Sequence, residues 1–402
     1  MAGAWWVRKK ELVDEQLKIL DLSADEDHLI TGPPGSGKTN LLILRAEFLA
    51  RNEKPNLAVV IFTRGLREFI STGAEEYAFE KSRIKTSVQF YIDLLKEYGV
   101  GVNLARRDEE DEDNANEFEE TRATLIGQVQ RLIKSKKLNR PFDCILLDEA
   151  QDYLPEEVKI FRELGTTLFV TADARQRIYA AETTLDEFRN VIPNRHKLEF
   201  HFRCGQAICR LADAIAKTDS DHGLLLPKCK YDEASRPSTV LRFTENNFEA
   251  QVDRAAEELA TQLAAYPKEY LGVLCPRAED AATAARRLGA SPKLKGRVIY
   301  QRSRKPKALS LDRPIVVSTI HTAKGMEFTA VHLLNAERTK GMAATRNLVY
   351  TAVTRAKTSL RVYHSAALLG FFEGALQATL PKAPSKKGKT IDDLFRTPPK
   401  DG

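Results

Sequence analysis

Eight consecutive residues, Gly32-Pro33-Pro34-Gly35-Ser36-Gly37-Lys38-Thr39, have the composition and order to hold a polyphosphate. Glycines at 32, 35 and 37 let backbone N–H groups turn inward around anionic oxygens, at the positive end of a following helix. Lys38 would reach the β- and γ-phosphates, and the Thr39 hydroxyl would ligate Mg²⁺, with Ser36 in the same cradle. An ordinary Gly/Pro turn before a helix is the plainer alternative, and eight matching positions in context weigh against it. A second cluster, Asp148-Glu149-Ala150-Gln151-Asp152, follows the apolar run 142–147. Asp148 would hold Mg²⁺ through water, and Glu149 would polarise the attacking water as general base. A helix N-cap with acidic first-turn residues is the competing view of these carboxylates.

Such groups need a scaffold that brings separate turns together. Leu29-Ile30 precedes the Gly-rich stretch and residues 41–49 follow it as a buried helix, the strand–turn–helix context in which this pattern means phosphate binding. Residues 57–62 and 167–171 resemble 142–147 in pattern, as parallel strands buried on both faces. Residues 84–90 read as a short strand and turn, with a helix through Tyr98. Strands alternating with helices predict a doubly wound parallel sheet, and the carboxylate pair falls at a strand's C-terminal end, where such sheets gather ligands. Near residue 199 a second α/β unit begins, with strands at 240–243, 270–275, 298–300 and 315–319 and helices at 248–265 and 278–288. It has no P-loop of its own, so it would complete the first unit's site.

A chain of 402 residues allows two or three domains, and 29% charged with 43% apolar residues describes an ordinary soluble protein. No run of eighteen apolar residues exists to span a membrane, and the N-terminal ten residues are not a secretory signal, so a cytoplasmic protein is expected. The five cysteines, 144, 204, 209, 229 and 275, are scattered. Only Cys204 and Cys209 are close in sequence, with no His or Cys completing a tetrahedral set, so no structural zinc is expected. The net charge of +6 leans mildly toward polyanions. Residues 108–120 are strongly acidic and read as a solvated loop; the sharper alternative is a flap that competes with nucleic acid for a basic groove.

With a P-loop upstream, Asp148-Glu-Ala-Gln-Asp152 resembles the UvrD/Rep-like group of superfamily 1 helicases, and further blocks follow in that family's order. The resemblance implies two RecA-like P-loop NTPase domains with parallel sheets, residues 1–198 and 199–378, a small acidic insertion near 91–140, and a disordered basic tail, 379–402. It assigns Gln16, whose amide could equally be a helix-surface group, to the adenine. Phe62, Thr63 and Thr86 would contact a single strand. Asp173, Gln176, Ile178 and Tyr179 would couple the phosphate site to the strand, with Gln176 catalytic and Tyr179 on the nucleic acid. Phe202 would stack on adenine and Arg203 reach the γ-phosphate. The block 319–328 would bring His321 and Thr322 to the nucleic acid and Glu327 to the ribose, and Arg355 would be a second arginine finger. Taken singly, the arginines read as surface salt-bridge residues, the aromatics as core and His321 as a turn histidine.

The resemblance implies an ATP- and Mg²⁺-dependent motor on single-stranded DNA, a helicase or translocase of 3′-to-5′ polarity. Departures qualify it: Val88 stands where the family's usual His belongs, Ala180-Ala181 where another stacking aromatic is usual, and 91–140 and 276–315 are too short for the large accessory domains. A nucleic-acid-stimulated ATPase without strand separation, relying on a partner protein, therefore stands beside the helicase, as does RNA as substrate. The tail's Ile391–Phe395 region, on a basic tether, reads as a chance apolar triplet or as a sliding-clamp-binding peptide.

Overall fold

The computed structural model describes residues 9–52, 54–62, 67, 80–102, 115–136, 138, 140–178, 184–216, 223–302, 307–342 and 345–380. Thr63, Tyr179, the acidic residues 108–114 and the tail from 381 lie outside that set.

The first lobe runs α1 (Asp14–Leu20), β1 (His28–Thr31), α2 (Lys38–Arg51), β2 (Leu57–Ile61), β3 (Ile84–Thr86), α3 (Ser87–Glu97) and α4 (Ala115–Lys136). It continues with β4 (Phe142–Leu147), α5 (Pro155–Leu164), β5 (Gly165–Ala172), α6 (Thr184–Val191) and β6 (Asn194–Lys197). Its six strands lie in the order β3-β2-β4-β5-β1-β6, every described pairing parallel. The apolar runs have a simple cause. In β2, Ala58 and Val60 point into one core with α3 to α6, while Leu57, Val59 and Ile61 point into another with α1 and α2. A strand covered on both faces cannot alternate with polar residues.

The second lobe repeats the design with α7 (Gln206–Ile215), β7 (Thr239–Thr244), α8 (Phe248–Ala265), β8 (Leu271–Cys275), α9 (Ala278–Ala290), β9 (Val298–Tyr300), β10 (Ile315–Thr319), β11 (Phe328–Leu333), α10 (Thr345–Val353), β12 (Ala356–His364) and α11 (Gly370–Thr379). The strand order is β7-β12-β11-β8-β10-β9, again parallel throughout. One face carries α8 and α9, the other α7, α10 and α11. The chain is thus α/β with two six-stranded parallel sheets. Among the described residues no helix is long and apolar enough to cross a membrane.

One expectation changes. Residues 115–120 are not solvated loop but the start of α4, and Leu125, Val129 and Leu132 of that helix lie in the first lobe's core. Their spacing of four and three residues lines one helical face. On the same helix Arg122, fully buried, pairs with Glu157 and stands 4.9 Å over the Phe62 ring. Residues 115–136 are a core helix with an acidic N-terminal end.

Candidate active site

The turn after β1 enters α2 with Gly37 as its left-handed N-terminal cap. Gly35 is also left-handed, at φ +78°, and a Cβ there would lie 2.3 Å from the Arg203 Cβ. The leading segment of the second lobe therefore rests on the P-loop itself, with the Phe202 N–H donating to the Gly35 carbonyl at 3.0 Å. Phe202 itself is 36% exposed, which leaves it open to a base.

Lys38 Nζ donates to the Gly32 and Pro33 carbonyls at 2.8 and 2.9 Å and stands 3.9 Å from the Asp173 carboxylate. Burial lowers its pKa, opposed by the charges of Asp173, Glu149 and Asp148. Ser36 Oγ is buried and has no partner. Such an orphaned hydroxyl in the Gly-rich turn is a fit for a phosphate oxygen.

The Thr39 hydroxyl donates to Asp148 Oδ2 at 2.6 Å, while the Thr171 hydroxyl and the Glu149 N–H donate to Oδ1 at 2.6 and 3.0 Å. Hydroxyl and carboxylate oxygens are hard donors, and neighbouring ligands of an octahedral Mg²⁺ stand about 3 Å apart, so Thr39 and Asp148 fit two adjacent positions of that ion. Burial and the adjacent Glu149 charge raise the pKa of Asp148, against the hydrogen bonds from Thr171 and Thr39. Glu149 behaves in the opposite way. Burial works to raise its pKa, but Lys324, Lys38 and Arg355 outweigh burial and hold the carboxyl ionised. An ionised carboxylate ringed by cations can accept a proton from water. Its backbone is left-handed at φ +52°, uncommon for a residue other than glycine, and the Gln151 amide donates to its side chain.

The second lobe supplies the cations. Gln176 donates from Nε2 to Asp173 Oδ2 at 2.9 Å and accepts at Oε1 from Arg355 Nη2 at 2.6 Å, so one amide joins the lobes. Burial, then the Arg203 charge, pushes the Arg355 pKa down to about 10, which leaves it cationic. Arg203 lies on the P-loop and bonds Glu327 from Nε at 2.7 Å. Glu327 is held down to about 2: burial opposes ionisation, and Arg203 and Lys357 overcome it. Lys324 crosses from the second lobe to pair with Asp152, to donate to the Gln176 carbonyl at 2.6 Å, and to stand 3.7 Å from Glu149.

Residues 314–363, which include Lys324, Glu327 and Arg355, match the UvrD-like helicase C-terminal domain family. The second lobe is UvrD-like there. Part of the chain is similar in structure to the C-terminal domain of a possible DNA helicase from Lactobacillus plantarum WCFS1, with 21% identity, a TM-score of 0.33, and 44% of this chain and 96% of that one covered. It is also similar to the arterivirus helicase, nonstructural protein 10, with 15% identity, a TM-score of 0.42, and coverage of 90% of this chain and 64% of that one. The chain thus spans under two thirds of the viral protein. No curated protein sequence matches it.

Several residues of the UvrD-like pattern take places other than those expected. Gln16 is 6% exposed; its amide donates to the Ser36 carbonyl at 2.9 Å and accepts from the Val13 N–H at 3.2 Å, bracing the P-loop instead of presenting an edge to adenine. Glu327 is engaged by Arg203 and Lys357 instead of facing open space for a ribose. Phe62 is 3% exposed and packs edge-on to Tyr153, so it is core and not a stacking platform. The Thr86 hydroxyl caps α3 by accepting from the Gln89 N–H at 3.2 Å. Buried Thr322 accepts at its hydroxyl from the Thr319 hydroxyl at 2.9 Å. His321 is half-buried, and burial with the Lys324 charge lowers its pKa to about 4, which keeps the ring neutral.

Thr171 and Lys324 were not legible as site residues, and Gln151 and Asp152 had no role assigned within the cluster 148–152. Lys324 sits inside a stretch already singled out, but its partner Asp152 is 172 residues away, a distance no local pattern spans.

Proposed function

We propose that the chain is an ATP-hydrolysing motor on single-stranded nucleic acid, a DNA helicase or translocase moving 3′ to 5′, with residues 1–198 and 199–378 as its motor lobes. The observation that carries this reading is Gln176, held on one side to the Asp173 of the phosphate-binding lobe and on the other to the Arg355 of the UvrD-like lobe. Phosphoryl transfer needs chiefly positioning and neutralisation of charge on the γ-phosphate, and an arginine finger contributes roughly 10³–10⁵ in rate. Lys38 and the P-loop amides would hold the triphosphate, with Ser36 on an oxygen and Phe202 against the base. Glu149 would take the proton of the attacking water, while Arg203 and Arg355 would face the developing charge. Mg²⁺, on Thr39 and Asp148, would neutralise the β- and γ-oxygens. Changes in the phosphate site would then pass through Gln176 and Lys324 to the lobe interface, and relative lobe movement would step the strand.

The second reading, a nucleic-acid-gated ATPase without strand separation, is favoured by the short path from β8 to β10, on which the described residues form one helix, α9, and one strand, β9. ATP turnover with single-stranded DNA or RNA, followed by unwinding of 3′-tailed and 5′-tailed duplexes, separates these readings. Lys38→Ala and Glu149→Gln should nearly silence turnover, and Arg355→Ala should slow it at least ~10³-fold with ATP affinity comparatively intact. Vigorous turnover by Glu149→Gln would remove it as the base. Turnover without unwinding of either duplex selects the second reading.

A further inference from the structure

Cys209 has neighbours that its sequence position conceals. His201, Cys209 and Cys229 each present a ligand atom, and these three atoms all lie within 4.8 Å of one another. The sequence brings only Cys204 close to Cys209; the fold adds His201 and Cys229, three ligand atoms of the four a tetrahedral set needs. Each comes from a different segment: His201 from the strand-like stretch before α7, Cys209 from the first turns of α7, and Cys229 from the segment that pairs with His201 as an isolated parallel bridge. Backbone bonds fix that pairing, from His201 N–H to the Lys228 carbonyl at 3.2 Å and from Lys230 N–H to the His201 carbonyl at 2.9 Å.

We propose that these three side chains form a zinc site. Cysteine sulfur and histidine nitrogen are the donors zinc takes, and a Cys₂His set with a fourth position for another ligand is an established arrangement for that ion. Bond lengths of 2.3 Å to sulfur and 2.0–2.1 Å to nitrogen at a tetrahedral angle put the two atoms about 3.6 Å apart. Cys209 Sγ and His201 Nε2 stand 3.6 Å apart. Cys209 and Cys229 both approach the Cys204 carbonyl at 3.3 Å, so the two sulfurs are already drawn to one point. His201 and Cys209 are fully buried and Cys229 is half-exposed, which gives an ion one side of entry. Soft thiolates with imidazole select zinc over the hard-oxygen cations, so this site and the Thr39–Asp148 pair would take different metals.

Binding has a defined proton balance. Both thiols ionise, and the His201 ring takes the tautomer with its proton on Nδ1, releasing the Leu225 carbonyl that Nε2 now meets at 3.0 Å. About two protons therefore leave for each zinc bound. The structural consequence lies next door: His201 is followed directly by Phe202 and Arg203. A metal joining their segment to α7 and to residue 229 would fix the arginine that rests against Gly35.

The test uses the full chain, purified under reducing conditions without chelator, and does not depend on its turning over ATP. Elemental analysis should find about one zinc per chain. After removal of that zinc, added Co²⁺ should give thiolate charge-transfer and tetrahedral ligand-field bands, and added Zn²⁺ should release about two protons. Cys209→Ser and Cys229→Ser should lose the metal and the bands, while Cys144→Ser and Cys275→Ser keep both. If Cys209→Ser does not fold, half-exposed Cys229→Ser carries the comparison. Zinc and cobalt uptake by the natural chain no greater than by Cys229→Ser overturns the proposal. So does a Cys209–Cys229 disulfide in a chain that takes up no metal after reduction.

Discussion

Asp152 and Lys324 meet where the two lobes touch, both essentially withdrawn from water. Burial raises the Asp152 pKa to about 6 despite the opposing Lys324 charge, so desolvation exceeds the attraction of the partner. The folded chain thus keeps the Asp152 proton up to about pH 6, whereas an exposed aspartate releases it near pH ~4. Between those values the folded state binds more protons, and this residue's contribution to stability falls as pH rises. Asp152→Asn keeps the shape and removes the titration. Its denaturation midpoint, followed from pH 4 to 7 beside that of the natural protein, should lack this decline. Parallel curves for the two proteins would show that Asp152 does not titrate in that window. Removing Lys324 instead would leave Asp152 and Glu149 facing each other without their shared cation.

At the scale of elements, the P-loop depends on the segment laid across it. Gly35 and Gly99 are both left-handed, at φ +78° and +70°, but a Cβ at 99 meets nothing within 4 Å while one at 35 strikes Arg203. Gly99→Ala should therefore lose only the left-handed strain of about 1–2 kcal/mol in denaturant unfolding. Gly35→Ala should lose more and weaken ATP binding as well, because Arg203 and Phe202 must lift away. Equal losses with unchanged ATP affinity would mean the contact is incidental. The elements themselves were unevenly legible. The strands β2, β4 and β5 announce themselves as unbroken apolar runs, and Gly32–Thr39 is a local pattern whose meaning needs only its own neighbours. The helix α4 was hidden because the charge of 108–120 runs into its first turns, and its apolar face, Leu125, Val129 and Leu132, begins only afterwards. The Gln16–Ser36 brace and the His201–Cys209–Cys229 group were illegible for another reason. Each is made by tertiary packing of separate segments, and spacing along the chain carries no trace of it.

Across the whole molecule, Gln176 is a joint between lobes, bonded to Asp173 on one side and Arg355 on the other. Gln176→Ala cuts the Asp173 and Arg355 bonds together, so nucleic-acid stimulation of ATP turnover should fall by more than the basal rate does. Titration of turnover with an oligonucleotide checks this, and an equal fall in both rates would make the amide a local support only. Binding of that oligonucleotide should weaken with salt, with a slope near −0.7 per phosphate neutralised. Glu149, finally, bends its backbone into a region that suits glycine. Residues held there cost of order 1–3 kcal/mol and persist where their surroundings impose them. Glu149→Gly and Glu149→Gln both lose the charge that Lys324, Lys38 and Arg355 face, so the comparison between them isolates the strain: Glu149→Gly should melt at a higher temperature than Glu149→Gln, and a lower one would show the conformation to be unstrained. Glycine would relax the turn at 149, and the strain that remains is the mark of a carboxylate kept in place by the cations around it.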